Sequence, residues 1–337
     1  MARYALIDTA NMYWRMRHVA NKSGDSWEKI GYSIHLTLAS ANQVVRKFGI
    51  DHVVFCTEGR SWRKDIYTPY KANRVVDTAA LTDKEIEESE MFNEAYGKLI
   101  EFLSEKTNAS VIRAPKGEAD DVIARFIHLH PEDEHIIVSS DSDYFQLISE
   151  NVTQYNGITD EYIKLDGYFD AKGKQIIDKK TKEPKTLGDP KFVLFEHAIR
   201  GDTSDNIFSA YPGVRTKGTK NKVGLIEAYA DKDRKGFQWN NLMLQKWVDH
   251  NNVQHRVMDD YERNVLLIDL TAQPDDIKQH VDGCIVEQLK TALVPQMGIH
   301  FLRFCSKYEL KKISDQATEY TSWLSAPYKG KLVGEKP

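Results

Sequence analysis

The chain has little cysteine and no long apolar run. Its three cysteines, Cys56, Cys284 and Cys305, show no C-x-x-C spacing, which argues against a disulfide framework or a cysteine zinc site. No apolar stretch reaches the length that spans a membrane, and the apolar residues before Asp8 are too few for a signal peptide. We therefore expect a cytoplasmic protein that makes no contact with a membrane.

The chain also lacks an overall excess of positive charge. The formal net charge of its 337 residues is −4, which taken alone argues against a nucleic-acid partner. The distribution of charge reverses that inference, because much of the acid is concentrated in short runs while basic residues form two local stretches. The first stretch contains Arg60, Arg63, Lys64, Lys71 and Arg74, and the second contains Arg215, Lys217, Lys220 and Lys222.

Three short acidic runs dominate the sequence. They read G-E-A-D-D at 117–121, S-S-D-S-D at 139–143 and G-D-T-S-D-N at 201–206. The first two runs follow short β-branched segments, and Asp8 follows an apolar segment in the same way. The carboxyl ends of parallel strands share one edge of an open α/β sheet, so we expect these acids to converge there. The acids that follow such segments are Asp8, Glu118, Asp120, Asp121, Asp141 and Asp143, and the third run adds Asp202 and Asp205.

Carboxylates in such number favour a bound divalent cation. Like charges raise the cost of ionising one another, and a cation removes that conflict. Ligands that are all oxygen indicate Mg²⁺ or Mn²⁺ rather than zinc, and two such ions about 4 Å apart form a phosphodiester-cleaving site. Each run by itself also fits a helix cap, a first-turn acid or a plain turn. Their joint occurrence favours the metal.

Strand-like runs at 4–7, 53–56, 111–112 and 136–138 alternate with helical patterns at 34–48, 82–105 and 119–130. This alternation predicts an α/β fold with a mostly parallel central sheet and helices on both faces. Residues 82–94 carry no apolar stripe and should project from the core. Helical patterns take over from residue 191. We expect a catalytic α/β domain at 1–190 with an arch or helical segment near 60–105, a helical DNA-binding region at 191–327, and a mobile tail at 328–337.

Five motifs occur in an order that resembles the structure-specific 5′-nuclease family. They are I-D-x-x-N around Asp8, Y-K-x-N-R from Tyr70, G-E-A-D-D, S-x-D-x-D-x-x-Q-L and G-D-x-S-D-N-I. That family includes flap endonucleases, the 5′-exonuclease part of bacterial DNA polymerase I and bacteriophage 5′-exonucleases. The resemblance covers about residues 1–290. Within the family, Y-E-R-N-V-L-L-I-D-L at 261–270 looks most like the ribonuclease H subgroup of T-even bacteriophages.

The resemblance implies a PIN-like nuclease core and a Mg²⁺-dependent 5′-3′ exonuclease and flap endonuclease that removes RNA primers and flaps during replication. Two Mg²⁺ ions are implied, with Mn²⁺ able to substitute. Asp121 and Asp205 would act through water. The matching ligands are Asp8, Glu118 and Asp120 for the first ion and Asp141, Asp143 and Asp202 for the second, with Asp120 and Asp141 placed to serve both.

One position departs from the family pattern. Glu58 stands just after the second strand, where the family usually has Asp. We assign Glu58 to the first metal ion, directly or through a water molecule. The alternative is a surface acid beside Arg60.

The resemblance also assigns roles to the basic segments. Lys71 and Arg74 are three residues apart, so on a helix they would share one face and grip the scissile phosphate, while Tyr70 would stack on an unpaired base. Arg63 and Lys64 belong to the same nucleic-acid-binding stretch. Residues 82–94 resemble the family's arch, through or under which a single-stranded 5′ end passes.

Residues 211–225 resemble a helix-hairpin-helix variant that holds duplex backbone. Gly213 and Gly218 would let backbone amides approach phosphate, and the basic residues would add charge. Lys220 replaces the second glycine of the usual motif, which places the family's potassium site at this hairpin in doubt. The basic residues are Arg215, Lys217, Lys220 and Lys222.

The implied substrates are DNA and RNA·DNA duplexes with a 5′ end, nick or flap, bound by a monomer. Bacteriophage relatives also work beside a single-stranded DNA-binding protein and a sliding clamp. Two alternatives stay open: a PIN-type ribonuclease, which is normally shorter and lacks Y-K-x-N-R, and a non-catalytic DNA-binding relative, which would have lost acids. A haloacid-dehalogenase-type phosphatase is excluded because Asp8 does not begin D-x-D.

Overall fold

The computed structural model describes residues 1–20, 25–74, 82–220 and 222–333. The chain packs as two units. Unit 1 consists of Met1–Ser61, Leu81–Leu187 and Asp275–Pro337, and unit 2 consists of Trp62–Ala80 and Gly188–Pro274. The predicted division into a catalytic domain at 1–190 and a DNA-binding region at 191–327 is based on function and stays a prediction.

A seven-stranded sheet forms the centre of unit 1. Its order is β3-β2-β1-β4-β5-β6-β7, with β1 to β5 parallel and the last two strands antiparallel. The predicted parallel sheet is therefore confirmed, and β1 lies between the strands that precede Glu58 and Asp141. The strands are β1 Arg3–Asp8, β2 His52–Thr57, β3 Ser110–Arg113, β4 Glu134–Val138, β5 Val152–Asn156, β6 Glu161–Lys164 and β7 Gly167–Phe169.

The helices are defined by the following bounds. They are α1 Thr9–Ala20, α2 Ser26–Phe48, α3 Arg63–Ile66, α4 Asp83–Lys106, α5 Ala119–Leu129, α6 Pro190–Arg200, α7 Leu225–Ala230, α8 Phe237–Met243, α9 Val257–Ile268, α10 Asp275–Gln288, α11 Met297–Lys307, α12 Lys311–Ser314 and α13 Ala317–Leu324. A 3₁₀ helix at Ser142–Leu147 follows β4. Among the described helices, none combines the length and the apolar character that crossing a membrane requires.

Helices cover both faces of the sheet because side chains alternate along each strand. Ala5 and Ile7 join one core with residues of α2, α4, α11 and α13. Tyr4 points to the other face and meets the Phe126 ring of α5 with ring centroids 5.2 Å apart. Helix α10 packs against α5 and β3 on that side. The predicted placement of helices on both faces is confirmed.

Helix α4 begins and packs largely as its sequence predicts. The Thr82 hydroxyl accepts the Glu85 N–H while the Glu85 side chain accepts the Thr82 N–H, which is a capping box. Residues 82–87 are exposed, but Phe92 is fully buried in the core of unit 1. The exposed part is therefore shorter than the predicted projection at 82–94.

The end of the described chain packs within unit 1. The His130 Nε2 and Tyr328 hydroxyl lie 2.6 Å apart, and the Val333 N–H donates to the Leu129 carbonyl at 3.0 Å. The prediction of a mobile tail from residue 328 is therefore wrong for 328–333, because the Tyr328 ring is buried in the fold. Residues 334–337 lie outside the described part of the chain.

Unit 2 is mainly helical, as predicted, with a core built around Phe195, Trp239 and Tyr261. It also contains a short antiparallel hairpin that the sequence patterns do not indicate. The hairpin pairs β8 Lys246–Val248 with β9 Gln254–Arg256.

Candidate active site

Asp8 ends the central strand of unit 1 and is 7% exposed. Its carboxylate accepts the Asn11 N–H at 3.1 Å, the Tyr144 hydroxyl at 3.1 Å and the Ser139 hydroxyl at 3.3 Å. Burial raises the pKa of Asp8 to about 6; the charge of Asp141 adds to the shift, while the three hydrogen bonds oppose it. A nearby cation would favour the ionised form.

Three acids lie close together at the N-terminus of α5. Oxygen atoms of Glu118, Asp120 and Asp121 lie within 4.8 Å of one another. The Glu118 N–H donates to Asp121 Oδ2 at 3.0 Å, and the Asp121 N–H donates to Asp120 Oδ1 at 2.7 Å. Acids are stabilised at a helix N-terminus, so the fold holds this cluster in place. Asp121 is fully buried, and its predicted action through water stays a prediction.

The turn after β4 positions Asp141 and Asp143. The Asp141 carboxylate caps the 3₁₀ helix by accepting the Asp143 N–H at 3.1 Å. Gln154 on β5 is 1% exposed, and its side-chain amide donates to the Ser139 carbonyl at 3.0 Å and to the Asp141 carbonyl at 2.6 Å. A buried amide on the neighbouring strand therefore fixes the turn.

The buried Tyr144 hydroxyl is affected by the charges of acids from separate loops. Burial raises the pKa of Tyr144, and the charges of Asp8, Asp120, Glu58 and Asp141 add to that shift. Asp8 ends β1, and Asp120, Glu58 and Asp141 come after β3, β2 and β4 along the chain. The structure thus gathers them at the carboxyl edge of the sheet, as the sequence predicts, while their roles as metal ligands stay predictions.

Glu58 lies at the N-terminus of α5. Its carboxylate accepts the Ala119 N–H at 3.1 Å, and its carbonyl accepts the Arg113 Nε–H at 2.9 Å. Burial raises the pKa of Cys56, and the charges of Asp8 and Glu58 contribute. Glu58 is exposed, but it is close to the other acids and is not an isolated surface residue.

Ser61 contacts one of the predicted ligands. Its hydroxyl donates to Glu118 Oε2 at 2.6 Å, and both side chains are buried. Gly59 brings the two segments together, because its N–H donates to the Gly117 carbonyl at 2.9 Å and an added Cβ would lie 1.9 Å from the Ala114 carbonyl oxygen. Only glycine allows this approach.

Asp202 in unit 2 is held in its ionised form. The Ser204 N–H and hydroxyl both donate to Asp202 Oδ1 at 2.7 Å, and His197 Nε2 lies 3.6 Å from Oδ2. Burial acts to raise the pKa of Asp202, but the His197 and Ser204 hydrogen bonds hold it well below its usual range. Gly201 adopts a φ of 73°, and a Cβ there would lie 2.4 Å from the Ile207 carbonyl oxygen.

Asp205 gathers the side chains of the Y-K-x-N-R motif. Its carboxylate accepts the Tyr70 hydroxyl at 3.0 Å and pairs with Arg74 Nη2 at 2.8 Å and Lys71 Nζ at 3.4 Å. Its carbonyl accepts the Lys71 N–H at 2.8 Å. The prediction that Lys71 and Arg74 share a helix face is wrong, because Lys71 lies in a turn with a φ of 54° before the helical residues begin.

Tyr70 is 2% exposed and packs against Ile207, Leu267 and Ile268. The Lys71 ammonium lies 4.9 Å from its ring centroid. The predicted stacking on an unpaired base is therefore wrong for this conformation, because apolar residues and Lys71 already cover the ring.

Arg63 is fully buried, which contradicts its predicted contact with nucleic acid. Its Nε–H donates to the Leu267 carbonyl at 2.8 Å, and its guanidinium lies 4.8 Å from the Trp62 ring. Arg63 therefore supports the fold of unit 2. Lys64, the next residue, is exposed on α3.

The basic residues of the predicted helix-hairpin-helix variant at 211–225 are exposed. Glu227 accepts the Gly218 N–H at 3.0 Å, so the prediction that this amide approaches phosphate is wrong. Gly213 adopts a φ of 73° with open space beside it. Asn221 lies outside the described residues. The exposed basic residues are Arg215, Lys217, Lys220 and Lys222.

The sequence patterns miss four residues that touch the predicted ligands or their supporting backbone. Tyr144 lies inside the S-x-D-x-D-x-x-Q-L motif, and His197 lies five residues before Asp202 in the last turns of α6, so their positions are signals. Ser61 and Gln154 carry no such signal, because their partners are distant along the chain.

The side chains present fit a hard divalent cation. The acids gathered in unit 1 offer only oxygen, which Mg²⁺ and Mn²⁺ prefer. Burial already raises the pKa of Asp8, so a cation there would lower the cost of crowding these charges. The arrangement has the chemistry of a metal-dependent hydrolytic site.

Residues 3–180 match the family model of the 5′-3′ exonuclease N-terminal, resolvase-like domain. This match covers more than half of the chain, so the protein belongs to the 5′-3′ exonuclease family. The resemblance deduced from the motifs is confirmed.

Two relatives illustrate the range of the family. DNA polymerase I of Rhizobium leguminosarum is 26% identical over 271 residues, which are 79% of this chain and 22% of that protein. Flap endonuclease Xni of Pseudoalteromonas translucida is 26% identical over 232 residues, which are 67% of this chain and 78% of that protein. The chain thus spans about a fifth of the length of that polymerase and most of the length of the flap endonuclease.

Solved structures of a bacteriophage protein share the fold. T5 5′-exonuclease with bound zinc superposes with a TM-score of 0.58 and 19% identity, covering 85% of this chain and 99% of that one. The T5 D15 flap endonuclease in a complex with DNA and metal ions gives the same score and identity, over 85% of this chain and 98% of that one. At this identity the similarity establishes the fold.

Proposed function

We propose that the protein is a Mg²⁺-dependent 5′-3′ exonuclease and flap endonuclease. It would hydrolyse phosphodiesters at the 5′ ends of DNA or RNA·DNA duplexes and so remove RNA primers and flaps during replication. The observation that carries the proposal is the acid cluster of unit 1, in which oxygen atoms of Glu118, Asp120 and Asp121 lie within 4.8 Å of one another, in a member of the 5′-3′ exonuclease family.

The proposed site holds two divalent ions, with Mn²⁺ able to replace Mg²⁺. When bound, such ions lower the pKa of a coordinated water and neutralise charge on the scissile phosphate. Asp121 and Asp205 act through water. The proposed ligands are Asp8, Glu58, Glu118 and Asp120 for the first ion and Asp141, Asp143 and Asp202 for the second.

Lys71 and Arg74 are proposed to bind the scissile phosphate. Both pair with the Asp205 carboxylate, and the Arg74 side chain is 60% exposed. A phosphate oxygen could therefore take the place of a carboxylate oxygen without leaving either cation unpaired. A guanidinium also binds phosphate in a defined geometry.

Duplex binding is assigned to Lys64 and to the exposed basic residues of the helix-hairpin-helix variant at 211–225. Such contacts read backbone and shape, because phosphates carry no direct sequence information. Proposed substrates are duplexes with a 5′ end, nick or flap. We also propose that the protein is similar to the ribonuclease H subgroup of T-even bacteriophages and acts as a monomer in the cytoplasm. Its proposed protein partners are a single-stranded DNA-binding protein and a sliding clamp.

Cleavage of 5′-labelled flap, nicked and RNA·DNA duplexes, with and without Mg²⁺, tests the proposal. We expect cleavage only with the metal, and product lengths separate flap cutting from stepwise exonuclease action. Asp143→Asn should abolish cleavage while sparing DNA binding, whereas Asp276→Asn, at an exposed acid of α10, should change neither. Full activity in excess chelator would contradict the metal-dependent mechanism. Cleavage confined to single-stranded RNA would favour a PIN-type ribonuclease.

A further inference from the structure

Tyr96 on α4 carries a polar group that the fold does not satisfy. Its hydroxyl oxygen is buried and has no hydrogen-bond partner in the part of the chain that the structure describes. Buried hydroxyl groups almost always have a partner. The missing acceptor is therefore informative.

The aromatic neighbours of Tyr96 do not by themselves prevent a tyrosine hydroxyl from finding a hydrogen-bond acceptor. The rings of Tyr13 and Tyr96 are in contact, with centroids 5.1 Å apart. The Tyr13 hydroxyl nevertheless donates to the Phe92 carbonyl at 3.0 Å. Among the residues that the structure describes, the Tyr13 hydroxyl therefore has an acceptor and the Tyr96 hydroxyl has none.

The Tyr96 hydroxyl lies within electrostatic reach of two acids of the candidate active site. Burial raises the pKa of Tyr96, and the charges of Glu58 and Asp8 raise it further. The hydroxyl consequently stays protonated and remains a donor. Neither carboxylate accepts its proton, so this donor, which is affected by the charges of two proposed ligands of the first metal ion, has no acceptor among the described residues.

We propose that the Tyr96 hydroxyl donates a hydrogen bond to an oxygen atom that arrives with the metal ion or with the nucleic acid. This inference rests on the proposed function. The acceptor is either a metal-held water or a phosphate oxygen, which have the same acceptor chemistry. A neutral donor can orient such an oxygen without adding a positive charge that would compete with the metal ion for the carboxylates.

The test compares Tyr96→Phe with Tyr13→Phe, since each change removes one hydroxyl from the same aromatic cluster. In metal-free protein, Tyr96→Phe should unfold at the same urea concentration as the unaltered protein or a higher one, because no native hydrogen bond is lost. Tyr13→Phe should unfold at a lower concentration. Tyr13→Phe should keep the unaltered cleavage rate under conditions in which it is folded.

Two further measurements identify the acceptor. Mg²⁺ affinity is measured by calorimetry without DNA, and single-turnover cleavage of a flap duplex is measured at saturating Mg²⁺. Tyr96→Phe should lower one of these quantities by about 10- to 100-fold, as expected for a hydrogen bond to a charged or polarised group. Loss of Mg²⁺ affinity would identify a metal-held water, and loss confined to the cleavage step would identify a phosphate oxygen.

The proposal is overturned if Tyr96→Phe matches the unaltered protein in both measurements. It is also overturned if Tyr96→Phe destabilises the metal-free protein as much as Tyr13→Phe does, because the hydroxyl then has a protein acceptor. If the unaltered protein cleaves no 5′-ended substrate, the proposed function fails. In that case, Mg²⁺ affinity and flap-DNA affinity test the role of Tyr96. If Tyr96→Phe and the unaltered protein have equal values of both affinities, the proposed role of Tyr96 is overturned.

Discussion

Ser61 and Glu118 are joined by a hydrogen bond of 2.6 Å between two buried side chains. Ser61 lies in the segment that follows β2, and Glu118 directly precedes α5, so the bond ties two loops together at the carboxyl edge of the sheet. A hydroxyl that donates to a carboxylate favours its ionised form and fixes its orientation. Ser61 should therefore position a proposed metal ligand without itself touching the metal.

Ser61→Ala should raise the Mg²⁺ concentration needed for half-maximal cleavage by about 10-fold, as expected for the loss of one hydrogen bond to a charged group. Ser61→Thr keeps the hydroxyl and should restore the metal dependence. Ser306→Ala, at an exposed serine, is the matched control. Identical Mg²⁺ titrations for Ser61→Ala and the control would show that the hydrogen bond has no part in metal binding.

Lys71→Ala and Arg74→Ala remove the charges proposed to hold the scissile phosphate. Loss of one such electrostatic contact lowers the rate by about 10²–10³, so single-turnover rates should fall far more than duplex affinity. Stability should change little for Arg74→Ala, because an exposed ion pair contributes about 0–1 kcal/mol. Lys106→Ala, at an exposed lysine of α4, should leave the rate unchanged. Equal losses in rate and affinity would mean that these residues only bind.

The helix-hairpin-helix variant at 211–225 should bind duplex DNA through the phosphates of its backbone. Each phosphate contact contributes about 0.9 to the slope of log affinity against log salt. Lys217→Ala combined with Lys220→Ala should flatten that slope by up to about 1.8, alike for unrelated DNA sequences. Alanine at Lys172 and Lys174, which are exposed in unit 1, provides the control. An unchanged slope, or a loss limited to one sequence, would remove the hairpin from the binding surface.

Two buried histidines should make stability fall in mild acid. Burial lowers the pKa of His52 and of His135 to about 4. Because this lies below the unfolded value of about 6.5, the unfolded chain binds more protons at intermediate pH. Their contribution is complete above pH 6.5 and is lost as the pH falls towards 4, by up to about 1.4 kcal/mol per pH unit for each histidine.

Urea unfolding at pH 7, 6 and 5 measures this effect. Asp8 acts in the opposite sense over part of the range, because its pKa is raised to about 6. The informative quantity is therefore the difference between His52→Gln and the unaltered protein, which should shrink as the pH falls. His128→Gln, at an exposed histidine of α5, is the matched substitution. The same slope in all three proteins would exclude His52 as its cause.

The sheet and the gathering of acids could be predicted because both follow from local pattern. A short apolar strand followed by an acid places that acid at one edge of a parallel sheet. The conformation at Lys71 could not be predicted in this way, since its turn depends on a hydrogen bond to Asp205, far along the chain. The burial of Arg63 likewise depends on Leu267, which belongs to a distant helix.

The central position of β1 has a consequence for folding. Ala5 pairs with Val53 on one side and with Ile136 on the other, so the strand that carries Asp8 needs partners made at widely different times. Long-range parallel pairing is slow, and an unpaired strand edge promotes association between chains. Until β4 has been synthesised, β1 has one open edge and Asp8 lacks its hydrogen bonds to Ser139 and Tyr144. A chain arrested before residue 134 should therefore be prone to aggregation as well as inactive.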